Sequence, residues 1–158
     1  MQYWLIKSEP DVFSIHDLEA AVREPWTGVR NYQARNYMWR EMRDGDLALF
    51  YHSNARPPGI AGLARVVGEP YPDPTQFDPS SEYFDPRASE EKPRWWLVDF
   101  THVATFDALL PLDLLKNDPK LREMTVCQKG TRLSITPVSA GHFSRACQLA
   151  GCNTQAGD

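Results

Sequence analysis

Proline constrains this chain more than any other residue. Thirteen prolines and nine glycines are spread through 158 residues. Each proline fixes its own φ, removes a backbone donor and pushes the residue before it out of the helical region. A helical bundle is therefore excluded, and what fits between the breaks is short strands, short helices and many turns. Residues 2–7, QYWLIK, read as a core strand that Ser8-Glu9-Pro10 ends. Residues 46–52 and 59–67 read as two more strands, joined by the polar, proline-bearing 53–58 into an antiparallel hairpin with a long loop. Residues 94–106 are the longest strand candidate, and 132–136 the last one. Six prolines fall within 69–93 together with Tyr71, Phe77, Tyr83 and Phe84. A loop of that length inside a compact domain is usually functional or disordered, and its aromatics favour an ordered flap.

The helices have their own signals. Ser14 is an N-cap with Asp17 three residues on, and Ile15, Leu18, Ala21 and Val22 give a helix over 14–22. Pro25 stops it, and Val29–Arg30 is expected to make a brief bridge. Asn31 caps the next helix, with Ala34, Met38 and Met42 as its buried stripe and Asp44-Gly45 as its stop. Pro111 and Pro119 each introduce a short helix, over 111–116 and 119–124. Ser139 caps a last helix that turns Phe143, Ala146, Cys147 and Ala150 inward and ends at Gly151. Neighbouring strands without βαβ spacing imply an α+β chain: five to six mixed strands in a small curved sheet or open barrel, with helices at the rim.

Length predicts one domain over 1–152, with 153–158 a frayed tail. Cys127, Cys147 and Cys152 form no CxxC and are odd in number, so no disulfide framework or zinc site is expected, and the reducing cytosol is the expected compartment. No cofactor or metal is implied by any motif. No run of eighteen apolar residues suggests a membrane span, and MQYWLIKSEP lacks signal-peptide features. The formal charge of −4 excludes a long phosphate track. A nucleic-acid partner would have to be recognised at one base or nucleoside.

The stretch 26–43, WTGVRNYQARNYMWREMR, concentrates the candidate chemistry. Residues 26–32 are read as the wall of a small pocket, pinned by the helix that follows; Trp26, Val29, Asn31 and Tyr32 belong to that wall. Flat aromatic walls grip a base by stacking, at ~1–3 kcal/mol per base. Trp26 in its Gly28 turn is one such wall, and Tyr83 or Phe84 of the flap another. Ser8, Asn31, Ser53 and Asn54 are candidates to read the base edge, while Arg30, Arg35 and Arg132 are candidates for phosphate. The rival is an enzyme. His16, His52, His102 and His142 lack metal-ligand spacing, Cys127 lacks a nucleophile's context, and His52-Ser53 lie on opposite faces of a strand. Lys7-Ser8-Glu9 is the better constellation, because a partly buried lysine can act as base toward a hydroxyl.

These segments together carry a family resemblance. YWLIKSEPD at 3–11, WTGVRNYQARN at 26–36, GDLALFYHSN at 45–54 and GIAGLARV at 59–66 resemble the EVE domain family. Tyr71-Pro72-Asp73, Pro93-Arg94-Trp95, Arg132-Leu133-Ser134 and Pro137-Val138 extend the match, in order, to about residue 145. The resemblance implies a PUA-like fold, a small curved β-barrel with helices around it, and kinship with YTH and ASCH domains. By analogy with the YTH aromatic cage, Trp26 is the first wall, the long loop offers Tyr83 or Phe84 as the second, and Tyr51 belongs to a stretch that resembles a cage segment. The resemblance implies a non-catalytic reader of a modified base in DNA or RNA, a modified cytosine or methylated adenine. ASCH relatives imply the alternative, an amidohydrolase of an acylated or otherwise modified nucleoside working through Lys7 and Ser8. A monomer is expected, with a nuclease as a possible protein partner.

Overall fold

A computed structural model describes residues 1–152; the tail expected over 153–158 lies outside them. Six strands form a single mixed sheet in the order β2-β5-β4-β3-β1-β6. They are β1 (Tyr3–Ser8), β2 (Glu24–Pro25), β3 (Leu47–His52), β4 (Gly59–Pro72), β5 (Trp96–Pro111) and β6 (Ile135–Val138). Four α-helices accompany them: α1 (Ile15–Ala20), α2 (Tyr32–Asn36), α3 (Leu112–Asn117) and α4 (Ala140–Ala150). The sheet stays open between β2 and β6. This is the expected α+β architecture.

β1 lies one strand in from the β6 edge. It pairs parallel with β3 and antiparallel with β6, and its side chains divide between both faces. Trp4 and Ile6 join Trp26, Phe50 and Phe100 in one core cluster, whereas Tyr3 and Leu5 join Leu47, Phe106 and Phe143 in the other. A strand buried on both faces reads as an unbroken apolar run, which is what QYWLIK is. Full burial of Trp4, Leu5 and Ile6 contributes ~1.5–3 kcal/mol per large side chain. A parallel β1–β3 pair requires a crossover, and that crossover, carrying α1, β2 and α2, is the candidate pocket wall.

The expected caps are present. Ser14 and Asp17 make both bonds of a capping box, and Asn31 accepts from the Ala34 N–H. Ser139 caps α4, which Gly151 ends at φ +70°. The helix expected after Asn31 changes pitch: α2 passes into a wider π-turn over Tyr37–Glu41, where the Met42 N–H reaches the Tyr37 carbonyl. Ala34, Met38 and Met42 are all buried on it, since the wider turn keeps a four-residue repeat on one face.

Several boundaries differ from the sequence reading. The bridge forms at Glu24–Pro25 against β5, not at Val29–Arg30; an edge strand tolerates proline because one side needs no donor. β4 runs on to Pro72, and β5 to Pro111, through irregularities in their pairing. Those shifts absorb the Gly68 and Pro70 that would otherwise end a strand. Pro111 therefore occupies the position before α3, without a capping hydrogen bond. Residues 119–124 form turns rather than a helix, yet bury Leu121 and Met124. Residues 132–134 precede β6 instead of belonging to it. No helix among the described residues is long and apolar enough to cross a membrane.

Candidate functional site

The crossover and the flap enclose a cavity of about 500 Å³ at the C-terminal end of β1. That volume lies within the ~300–1,000 Å³ typical of small-ligand sites. Lys7 and Ser8 come from the end of β1, Phe13 from the loop before α1, and Glu24 and Pro25 from β2. Trp26, Val29 and Arg30 line the turn, with Tyr83 from the flap and Ser134 from the approach to β6.

Trp26 is largely a core residue. It is only 9% exposed and meets the rings of Phe100, Phe50 and Phe13 edge to face at 5.3, 5.9 and 6.2 Å. The side it presents to the cavity is thus held rigidly. Gly28 adopts φ +83°, and a Cβ there would lie 2.6 to 2.9 Å from three atoms of the Tyr83 ring. Glycine is required at this position twice over, for the left-handed backbone and as the seat on which Tyr83 rests. The contact joins residues far apart in sequence and puts the flap tyrosine at the cavity wall.

Asp73 fastens that arrangement. Its carboxylate, 1% exposed, accepts from the Gly28 N–H at 2.9 Å, from Arg30 at 3.1 Å and from Thr75 at 2.8 and 2.6 Å. Arg30 in turn donates to the carbonyls of Val29 and Tyr83 and to the Thr75 hydroxyl. These bonds engage every nitrogen of a guanidinium, so here Arg30 clasps the flap to the turn. Gln76, fully buried, accepts from the N–H groups of Arg94 and Trp95 and donates to the carbonyls of Asp73 and Trp95. Asp85 accepts from the Trp95 indole. The flap is ordered because its buried polar groups are satisfied.

The cavity disfavours charge. Burial lowers the Lys7 amine from its ordinary value. Burial, and then the nearby Asp99 carboxylate, raise Glu24. An amine and a carboxyl lining one cavity can donate to and accept from an uncharged, flat ligand. Ser8 points its hydroxyl at the Phe13 carbonyl, 2.6 Å away. Among the described residues no cluster of His, Cys, Asp and Glu is placed to hold a metal.

The structure thus brings Lys7, Ser8, Trp26, Val29, Arg30 and Tyr83 around one cavity. It places the other expected residues elsewhere. Asn31 caps α2. Tyr32 stacks on Trp95 at 4.8 Å, with Arg35 over its ring at 4.6 Å. Tyr51 is buried in the opposite core cluster. The Ser53 N–H bonds the Ser8 carbonyl, and the Asn54 amide bonds Glu9. Phe84 lines a separate recess of about 370 Å³ that shares Arg30 and Tyr83 with the cavity. Arg132 is exposed. His52 accepts from the Ile15 N–H at the start of α1. The sequence reading missed Phe13, Glu24 and Ser134 in the lining, and Asp73 beneath it. Only Asp73 carried a signal: an Asp-Pro-Thr turn, in which the carboxylate folds back on the N–H two residues on.

A small mixed sheet with a flap-covered cavity at the end of its first strand defines a PUA-like module. The EVE domain family model matches residues 2–149, and the chain belongs to that family. It is 41% identical to mouse thymocyte nuclear protein 1 over 160 residues, covering 89% of this chain and 70% of that protein. A Pseudomonas syringae protein of known structure superposes with a TM-score of 0.88 at 47% identity, over 94% of this chain and 99% of that one. Human THYN1, solved in complex with DNA containing 5-methylcytosine, superposes with a TM-score of 0.86 at 39% identity, over 98% of this chain and all of that one.

Proposed function

We propose that this chain is a non-catalytic reader of a modified base, a 5-methylated cytosine in DNA, which it holds in the cavity beside Trp26 and Tyr83. The observation that carries the reading is the cavity itself, flat-walled, fixed on one side by core packing and closed on the other by the flap. The human relative bound to methylcytosine DNA supports the choice of base. A base must leave its stack to enter, at a few kcal/mol, and aromatic contact returns ~1–3 kcal/mol. Cytosine offers an amine that a carboxylate accepts, the role assigned to Glu24. Its carbonyl takes a donor, the role assigned to Lys7, and the methyl group packs on the apolar wall. The hydrolase alternative is not favoured, since the Ser8 hydroxyl is engaged by a backbone carbonyl.

The test is titration with matched oligonucleotides carrying cytosine, 5-methylcytosine, 5-hydroxymethylcytosine, adenine or N6-methyladenine, as DNA and RNA, at fixed salt. Trp26→Ala would empty part of the core at ~3–5 kcal/mol, so Trp26→Phe and Tyr83→Ala are the variants to use. A preference for 5-methylcytosine of about tenfold, ~1.4 kcal/mol, weakened in both variants, is the expected result. Equal, weak and salt-sensitive binding to every oligonucleotide would overturn the proposal.

A further inference from the structure

Beyond the cavity runs a file of alternating arginines and aromatic rings. Arg30 lies over the rings of Tyr83 at 5.5 Å and Trp95 at 5.1 Å. Trp95 stacks on Tyr32, and Arg35 lies over Tyr32, Trp95 and Trp39 at 4.6, 5.8 and 5.4 Å. Trp39 stacks on Trp96 at 4.7 Å and carries Arg40 at 4.4 Å. Arg94 reaches the Tyr32 hydroxyl at 3.0 Å. The file is continuous from the cavity wall to the outer side of the π-turn.

Only Arg30 of its arginines pairs with a carboxylate among the described residues. Arg23, Arg30, Arg87 and Arg145 each pair with a carboxylate. Among the described residues Arg35, Arg40 and Arg94 form no such ion pair; they meet rings, an amide, a carbonyl and a hydroxyl. Burial lowers Arg35 from its ordinary value; Tyr32 opposes that shift, and repulsion from Arg40 and Arg94 adds to it. Three arginines close together on a chain of net charge −4 leave a local positive field that an anion relieves. The aromatic rings are already engaged by one another and by guanidiniums, and Arg35 is held by Asn36 and the Arg94 carbonyl, so the face offers the N–H edges of Arg40 and Arg94 rather than free ring faces. Such edges suit phosphate oxygens, which arginine binds in fork geometry.

We infer that this arginine–aromatic file is the docking face for the phosphodiester backbone of the strand whose base occupies the cavity. The inference rests on the base-reading proposal for the occupant of the cavity. The file lets a net acidic protein hold a polyanion: a few phosphates are met beside the base, with no long track.

The test uses the double variant Arg40→Gln/Arg94→Gln, with Arg56→Gln/Arg122→Gln as a control that removes the same charge from exposed arginines outside the file. DNA affinity is measured against salt for a methylated oligonucleotide, and separately for 5-methyldeoxycytidine monophosphate. The file variant should weaken oligonucleotide binding several-fold. It should also lower the slope of log affinity against log salt by about one per arginine lost, leaving mononucleotide binding unchanged. An unchanged slope, an equal loss in the control, or an equal loss for the mononucleotide would each overturn the inference. Failure of the base reading shows differently, as the wild type binding methylated and unmethylated oligonucleotides alike. Equal thermal melting of the variants separates these results from misfolding.

Discussion

Replacing Gly28 by alanine isolates the contact that closes the cavity. Two terms oppose the new methyl group. The backbone sits at φ +83°, where an L-residue is disfavoured by roughly 1–2 kcal/mol. The added Cβ would also lie 2.6 to 2.9 Å from the Tyr83 ring, well inside the ~3.5–4.0 Å of a favourable carbon contact. Tyr83 is 36% exposed, so its ring can swing away from the turn. Doing so forfeits its packing on the turn and its stack with Arg30, the latter about 0.5–1 kcal/mol. Gly28→Ala should therefore destabilise the wild type by roughly 2–3 kcal/mol, or several degrees in Tm at ~2–4 °C per kcal/mol. In a Tyr83→Ala background only the backbone term remains. Urea denaturation of the four proteins, with equal m-values, gives the coupling directly. A coupling of about 1 kcal/mol is expected from these terms. A value under ~0.3 kcal/mol, inside the noise of additive sites, would show that Tyr83 does not rest on Gly28 and would remove the flap from the cavity wall.

Two further outcomes follow from the polar framework. Asp73→Ala leaves a partly buried guanidinium and two N–H groups without their acceptor. It should destabilise by ~3 kcal/mol or more, read as a fall in the urea midpoint, with Asp73→Asn falling less because it keeps one acceptor oxygen. Tyr71 donates to Asp99 at 2.6 Å, and burial followed by that bond pushes its phenol from 10.0 up to about 12. The folded state then holds this proton more tightly than the unfolded chain does. Its contribution is fully present below the unfolded value near 10 and is lost as pH rises toward about 12. Melting temperatures between those limits should fall less for Tyr71→Phe than for the wild type; parallel curves would refute the assignment.

The parts of the fold legible in the sequence are those set by neighbouring residues. Ser14 with Asp17, Asn31, and Ser139 with Gly151 each mark a helix end through contacts within a few positions. QYWLIK declares a two-faced strand because all its side chains are apolar or aromatic near the middle. The failures fall where distant partners override local propensity. Proline and glycine would end β4 near Gly68, but pairing with β5 carries it to Pro72. The Glu24–Pro25 bridge exists because Phe100 and Asp99 lie opposite it. The cavity follows the same rule. Trp26 and its Gly28 turn stand out in one dimension, but Tyr83 could be paired with Gly28 only by knowing how the flap folds back. Asn31, Tyr51 and Asn54 had polar or aromatic chemistry suited to a site, and the fold places them as a cap, a core residue and a loop tie.

The arginines show why residue type alone does not assign a role in such a site. Arg30 and Arg35 lie five positions apart in one motif, and from sequence both were equal candidates for phosphate. The difference is the carboxylate. Asp73, buried at the base of the flap, draws Arg30 into a closed set of bonds, and breaking a buried pair costs ~3–5 kcal/mol. A phosphate would have to offset that cost before gaining anything from Arg30. Among the described residues Arg35 and Arg40 have no carboxylate partner, so an arriving phosphate meets no competing anion there. The division of labour between the arginine that builds the pocket and those proposed to meet the polymer is therefore set by where Asp73 folds. That is a long-range fact, carried by the register of β4 and the turn that ends it.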